Sequence, residues 1–195
     1  MRRYLSRRTL LRRVLVGLLA GAGVLATRRP VLSTDESKPA GAFKARRVVR
    51  RKEFEVTAPP GMVFPLLCPV REREWLEGWK AEVVYSDSGF AEENGIFTSE
   101  NPLLGDAVYV VSRHEAARGR IEFTIFYPGT CVQRLGIELQ PTSGGGTRLT
   151  WSRLFTSLSP HGSALIDKIS EEVFEAQMLG IAQSLERHCR RLQAR

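Results

Sequence analysis

Between Lys80 and Ser157 the chain runs in short alternations of apolar and polar residues, and turn-forming residues stand between every two runs. The runs fall at about 80–86, 95–99, 106–114, 120–127, 130–140 and 147–157. They are separated by Ser86 to Gly89, Asn101-Pro102, Arg118-Gly119, Pro128-Gly129 and Pro141 to Gly146. A two-residue period places alternate side chains on opposite faces, so each run reads as a strand. Connections this short cannot hold a crossover, and the strands are therefore expected to form an antiparallel meander. A further strand is expected from Val48 or Val49 to Thr57, ended by Ala58-Pro59-Pro60 because proline cannot donate to a ladder.

The flanking segments are helical. Pro60 to Leu67 sets Val63, Phe64 and Leu67 on one face before Pro69 ends it. Val70 to Leu76 forms a second short helical stretch, charged except at its end, Trp75 and Leu76. A long helix is expected to start between Ser163 and Ser170 and to reach Gln193. Along it Ile166, Ile169, Val173, Phe174, Met178, Ile181, Leu185, Cys189 and Leu192 follow three- and four-residue steps. Burying that stripe is worth about 1.5–3 kcal/mol per large side chain, which docks the helix on the sheet. The expected class is α+β, with seven antiparallel strands and a long C-terminal helix.

Charge divides the chain in two. Residues 1–52 hold 15 Lys and Arg against 2 Asp and Glu, whereas residues 53–195 hold 14 against 19, so the net +8 comes from the first quarter. An acidic domain with scattered arginines repels a polyanion, which excludes nucleic acid as its partner. The basic part reads Ser6-Arg7-Arg8-Thr9-Leu10-Leu11-Arg12, followed by an uncharged run from Val14 to Ala26. This resembles a bacterial twin-arginine export signal, with Arg7 and Arg8 as its arginine pair. The run is shorter than the ~20 apolar residues that span a bilayer. Three readings follow: a cleaved signal leading to the periplasm or envelope, a retained partial anchor, or a misassigned start with a cytoplasmic protein beginning near Val48 or Val49. Membrane contact is expected only through this segment, residues 1–27; residues 28–47 read as a linker, and the domain as 48–195.

Cys68, Cys131 and Cys189 lie far apart and lack metal-ligand spacing, so no metal is expected. An odd count leaves at least one thiol unpaired.

The order of elements, together with Phe54 to Leu67 (FEVTAPPGMVFPLL), Cys68 to Trp79 (CPVREREWLEGW), Tyr85 to Phe97 (YSDSGFAEENGIF) and Arg148 to Leu158 (RLTWSRLFTSL), resembles the START-like or SRPBCC superfamily, in its polyketide cyclase and lipid-transport-like branch. The resemblance covers about residues 50–193. It implies a helix-grip fold, in which a curved seven-stranded sheet wraps a C-terminal helix around an apolar cavity. It further implies binding or transfer of a hydrophobic molecule without a cofactor, and in a minority of members cyclase or aromatase chemistry.

Candidate cavity residues follow from the resemblance and from strand parity. Trp75 and Trp79 match the segment that roofs the cavity, and Tyr85, Phe97, Tyr109, Phe123 and Tyr127 are the bulky members of alternating strands. Each has core filling as its alternative role. In the last strand Leu149, Trp151, Arg153 and Phe155 share one parity, which is expected to face the helix. Arg153 then reads an anionic or carbonyl group of a ligand, pairs with a protein carboxylate, or reaches the rim along its apolar stem.

The catalytic signal is sparse. His114 is the best base, with Glu92, Glu93 or Glu115 as carboxylates, while His161 falls in a turn and His188 on the charged face of the last helix. Cys68 reads as a buried small hydrophobe. The expectation is a non-catalytic module for a small hydrophobic or amphipathic ligand. The alternatives are a cyclase or dehydratase-type enzyme and a partner-binding envelope protein with a collapsed cavity. If the leader directs export, changing Arg7 and Arg8 to Lys retains tagged protein in the cytoplasm on fractionation. Cytoplasmic protein in both the parent and the variant refutes export.

Overall fold

The computed structural model describes residues 42–195, so the expected export signal and most of the linker lie outside the described residues. Strand β1, Arg47–Val56, opens the domain. Its alternation ends at Pro59, and Pro60 starts the short helix α1, Pro60–Val63, which tightens into a 3-10 turn over Phe64–Leu67. Pro69 starts α2, Pro69–Glu72, whose helical turn carries on through backbone bonds from Trp75 and Leu76 to the carbonyl of Glu72. Six strands follow: β2 Ala81–Tyr85, β3 Ile96–Asn101, β4 Gly105–Glu115, β5 Arg120–Tyr127, β6 Cys131–Pro141 and β7 Thr147–Ser157. They differ from the sequence expectation by at most two residues at an end.

All pairings are antiparallel, and the sheet order is β1-β7-β6-β5-β4-β3-β2. The meander from β2 to β7 follows from the short connections. The position of β1 does not: it joins β7, from Arg47↔Thr156 to Val56↔Thr147, which leaves β1 and β2 on opposite edges. Residues 57–80 must therefore cross the whole sheet, and they carry α1 and α2 over its concave face.

The long C-terminal helix expected to start between Ser163 and Ser170 and to reach Gln193 is present, and a separate helix precedes it. Ser159 caps α3, Pro160–Asp167, and Ser170 caps a separate helix α4, Glu171–Gln193, each by accepting a backbone N–H with its side chain. Two good N-caps eleven positions apart favour two helix starts over one continuous helix. Ile166 and Ile169 are buried on either side of the end of α3, whereas Val173, expected on the apolar stripe, is 42% exposed. Phe174, Met178, Leu185 and Cys189 form the buried face of α4. The three cysteines are all buried and unpaired.

One close approach fixes α3. A Cβ at Gly162 would lie 1.9 Å from the carbonyl oxygen of Thr130, in the turn between β5 and β6. Gly162→Ala is accordingly expected to destabilise the domain by about 1–3 kcal/mol in urea unfolding, against the helix-propensity gain of alanine.

Candidate functional site: a polar cluster inside an aromatic cavity

Strand alternation fixes the floor of the site. In β7 the inward positions 147, 149, 151, 155 and 157 are buried, and only Arg153 in that series keeps accessible surface. That surface faces a cavity of about 100 Å³ between the sheet, the crossing segment and α4. Tyr109 from β4, Phe123 and Tyr127 from β5, Gln133 and Leu135 from β6, and Trp151 from β7 form the floor and walls. Glu72, Trp75, Leu76 and Trp79 roof it, and Gln177 and Ile181 of α4 close one side.

The roof is built by local hydrogen bonds. Trp75 donates its indole N–H to the carbonyl of Leu66 at 2.9 Å, and Trp79 donates to that of Pro69 at 2.8 Å, so both rings are clamped by the backbone beneath them. Arg71 and Glu74 pair at 2.8 Å on the outer side. Residues 72, 75, 76 and 79 are spaced by three and four, which turns Glu72 inward beside the tryptophans. Trp79 packs edge-on to Tyr109, and Tyr109 edge-on to Phe123, each at 6.2 Å between ring centroids.

Four polar groups share the interior. The charged end of Arg153 is enclosed, with its guanidinium carbon 5.8 Å from the centre of the Phe174 ring and 6.0 Å from that of Trp151. Its hydrogen bond is a long one, from Nη1 to Oε1 of Gln177 at 3.5 Å, and Nε has no partner among the described residues. The indole N–H of Trp151 likewise has none. Burial lowers the pKa of Arg153, opposed by Tyr127, Tyr109 and Glu72. Burial pushes the Glu72 carboxyl up to about 8, against the pull of Arg153. Burial also raises the tyrosines, Tyr127 to about 12 and Tyr109 well above its usual value, and Tyr127 donates to Oε1 of Gln133 at 3.4 Å. Near neutrality the cavity thus holds a protonated carboxylic acid, neutral phenols and a guanidinium.

Seven of the nine expected cavity residues line this space: Trp75, Trp79, Tyr109, Phe123, Tyr127, Trp151 and Arg153. Two do not. Tyr85 lies on the edge strand, 57% exposed, and its hydroxyl donates to Asp87 at 3.2 Å, because β2 shifts register after Val83 and leaves its end uncovered. Phe97 is fully buried but packs toward Gly95, away from the cavity.

His114 belongs elsewhere. It meets Phe64 edge-on at 5.2 Å and lines a separate apolar cleft with Cys68 and Phe90. Its proposed carboxylates are engaged apart from it: Glu92 accepts backbone N–H groups of its own turn, and Glu115 faces Arg118 at 3.9 Å. His188, expected on an exposed charged face, is largely covered and lies 3.7 Å from Glu74, since α4 packs beneath the crossing segment. The Cys68 sulfur is buried and accepts the N–H of Ala91 at 3.1 Å. Among the described residues no group of three or more His, Cys, Asp or Glu is arranged to hold a metal ion.

Glu72, Gln133 and Gln177 are absent from the sequence-derived set. The signals for them are a helical spacing shared with Trp75 and Trp79, a polar residue on the inward parity of Cys131, Leu135 and Ile137, and a polar residue within the apolar stripe of α4.

No protein-family model matches the chain, and no characterised protein matches it by sequence. Solved structures do share its fold. Norcoclaurine synthase from Thalictrum flavum superposes with a TM-score of 0.59 at 12% identity, over 77% of this chain and 99% of that one. The Mll3558 protein from Rhizobium loti gives 0.54 at 20% identity, over 73% and 99%. Ara h 8.0201 gives 0.55 at 13%, over 74% and 98%. The chain therefore has the helix-grip fold.

The raised pKa of Glu72 has a definite sign for stability. Unfolded, the carboxyl titrates near its ordinary 4.5; folded, near 8. The folded state holds the extra proton between those values, so this contribution is full below about 4.5 and is lost as the pH rises through 8. Glu72→Gln is expected to flatten the loss, becoming about 1–3 kcal/mol more stable than the parent at pH 9 and nearly equal at pH 4.5 in urea unfolding.

Proposed function

We propose that the domain binds a small amphipathic molecule in the cavity, with an anionic or carbonyl head group against Arg153 and an apolar body between Trp79, Tyr109 and Phe123. The observation that carries this reading is a guanidinium enclosed among aromatic rings without a carboxylate in ion-pair contact among the described residues. A buried charge left without a partner destabilises the fold, and replacing it with a packed apolar residue is often neutral or stabilising. A cavity that served only as a collapsed core would have no use for it.

The volume narrows the ligand. Binding cavities for drug-sized molecules run to about 300–1,000 Å³, whereas a dry cavity of about 150 Å³ accepts benzene. At about 100 Å³ this one is smaller than either, and it suits a short chain rather than a lipid or a polycyclic polyketide.

A second reading, an acid–base enzyme of the cyclase or dehydratase type, is favoured by Glu72. A carboxyl that titrates at about 8 inside a cavity is poised to give and take protons near neutral pH. Norcoclaurine synthase, which shares the fold, has been solved with a transition-state analogue bound.

All three tryptophans of the chain line the cavity, so intrinsic fluorescence reports its occupancy. Native mass spectrometry of the purified protein, followed by fluorescence titration with whatever co-purifies, tests the binding reading. Arg153→Leu is expected to remain folded and to bind roughly ten- to a hundredfold more weakly, the loss of a charged hydrogen bond. Unchanged affinity in that variant refutes the assigned head-group contact. Turnover of the bound molecule that disappears in Glu72→Gln while binding persists selects the enzyme.

A further inference from the structure

We propose that Glu72 makes binding in this cavity proton-linked: the site takes a small monocarboxylate while Glu72 holds its proton, and expels it when Glu72 ionises and claims Arg153 for itself. The inference rests on the binding reading above and adds the ligand's charge and the control of its release.

Geometry sets up the competition. Glu72 descends from the roof and Arg153 rises from β7 into the same space of about 100 Å³, yet they are not in ion-pair contact, and the guanidinium reaches only Gln177. That space does not accommodate a ligand carboxylate on Arg153 together with a Glu72 carboxylate on the same group. The charge balance points the same way. With Glu72 protonated the interior carries one positive charge, and with Glu72 ionised it carries none. In a poorly solvated interior, one unit of charge outweighs the contacts of a small ligand's apolar part.

The groups facing Glu72 leave this balance to the pair. Arg153 comes from β7, Tyr109 from β4 and Tyr127 from β5, while α4 contributes the uncharged Gln177. Burial keeps both phenols neutral across the relevant pH range, and it also raises the pKa of the Cys68 thiol, which lies within electrostatic reach of Glu72. On its own helix Arg71 and Glu74 pair with each other on the outer side, Arg73 is exposed, and His188 of α4 meets Glu74 rather than Glu72. Burial holds the Glu72 proton up to about pH 8, which sets the release between neutrality and pH 9.

Butyrate, and acetate as a smaller acid, serve as probes because both are ionised throughout this range. The measurement is titration of the full chain at pH 6 and pH 9, by tryptophan fluorescence and by calorimetry in two buffers of different ionisation enthalpy. If only the protonated form binds, affinity follows its population: it falls roughly tenfold from pH 6 to pH 9, and binding at pH 9 takes up close to one proton. Glu72→Gln is expected to bind equally at both pH values. The proton uptake is read on the parent protein and needs no variant.

Equal parent affinity at the two pH values, absence of proton uptake at pH 9, or a retained pH dependence in Glu72→Gln overturns the proton link. The binding reading survives those results if Arg153→Leu loses the probe. An Arg153→Leu variant that binds as tightly as the parent overturns the binding reading as well. Failure of both probes to bind the parent at millimolar concentration overturns the ligand class proposed here, and leaves the binding reading to the co-purifying molecule.

Discussion

The pairing of β1 with β7 is the constraint from which the rest of the architecture follows. A strand that instead joined β2, its neighbour in sequence, would extend the meander and leave residues 57–80 as a loop at one edge. Joined to β7, it forces that segment across the concave face, where it becomes the roof. The end of β1 is then tied down twice. The Thr147 hydroxyl donates to the carbonyl of Ala58 at 2.7 Å, and Thr57 donates its N–H and hydroxyl to Glu186 of α4, each at 2.8 Å. Sheet, roof and helix are thereby held around one interior.

That interior contains more polarity than a core of its size requires. Seven aromatic side chains line it, and edge-on contacts along Trp79, Tyr109 and Phe123 keep them ordered. Within them stand a carboxylic acid and a guanidinium that are not in ion-pair contact. Packing alone favours pairing them or removing both, since a half-satisfied polar network is less stable than either alternative. The cluster is therefore the observation on which the proposed recognition of a third group rests, and the small volume of about 100 Å³ bounds the size of that group.

The strands show how far sequence pattern reaches. Period-two alternation located all seven to within two residues at each end, and parity alone put Trp151 and Arg153 on the inner face, because a strand offers its side chains only two directions. Parity also selected Tyr109, Phe123 and Tyr127. It failed at Tyr85, where a register shift near a sheet edge leaves the residue in solvent, and at Phe97, where inward-facing was right but the ring fills core beside the cavity rather than lining it. His114 was chosen by residue type, and residue type carries no position. Glu72 was passed over as one charge in a charged stretch, although its spacing to Trp75, Leu76 and Trp79 matches one helical face.

By itself the sequence determined the kind of elements, their order and the direction of most side chains, since these depend on local periodicity, turn residues and caps. It also determined the antiparallel meander, because short connections permit nothing else. Only the tertiary structure decided that β1 joins the far edge and that Glu72 faces Arg153 across a cavity of about 100 Å³. Those features depend on contacts between residues far apart in the chain. The acid and the guanidinium are 81 positions apart in sequence, and their protonation states come from shared burial, which exists only once the roof has closed over the sheet.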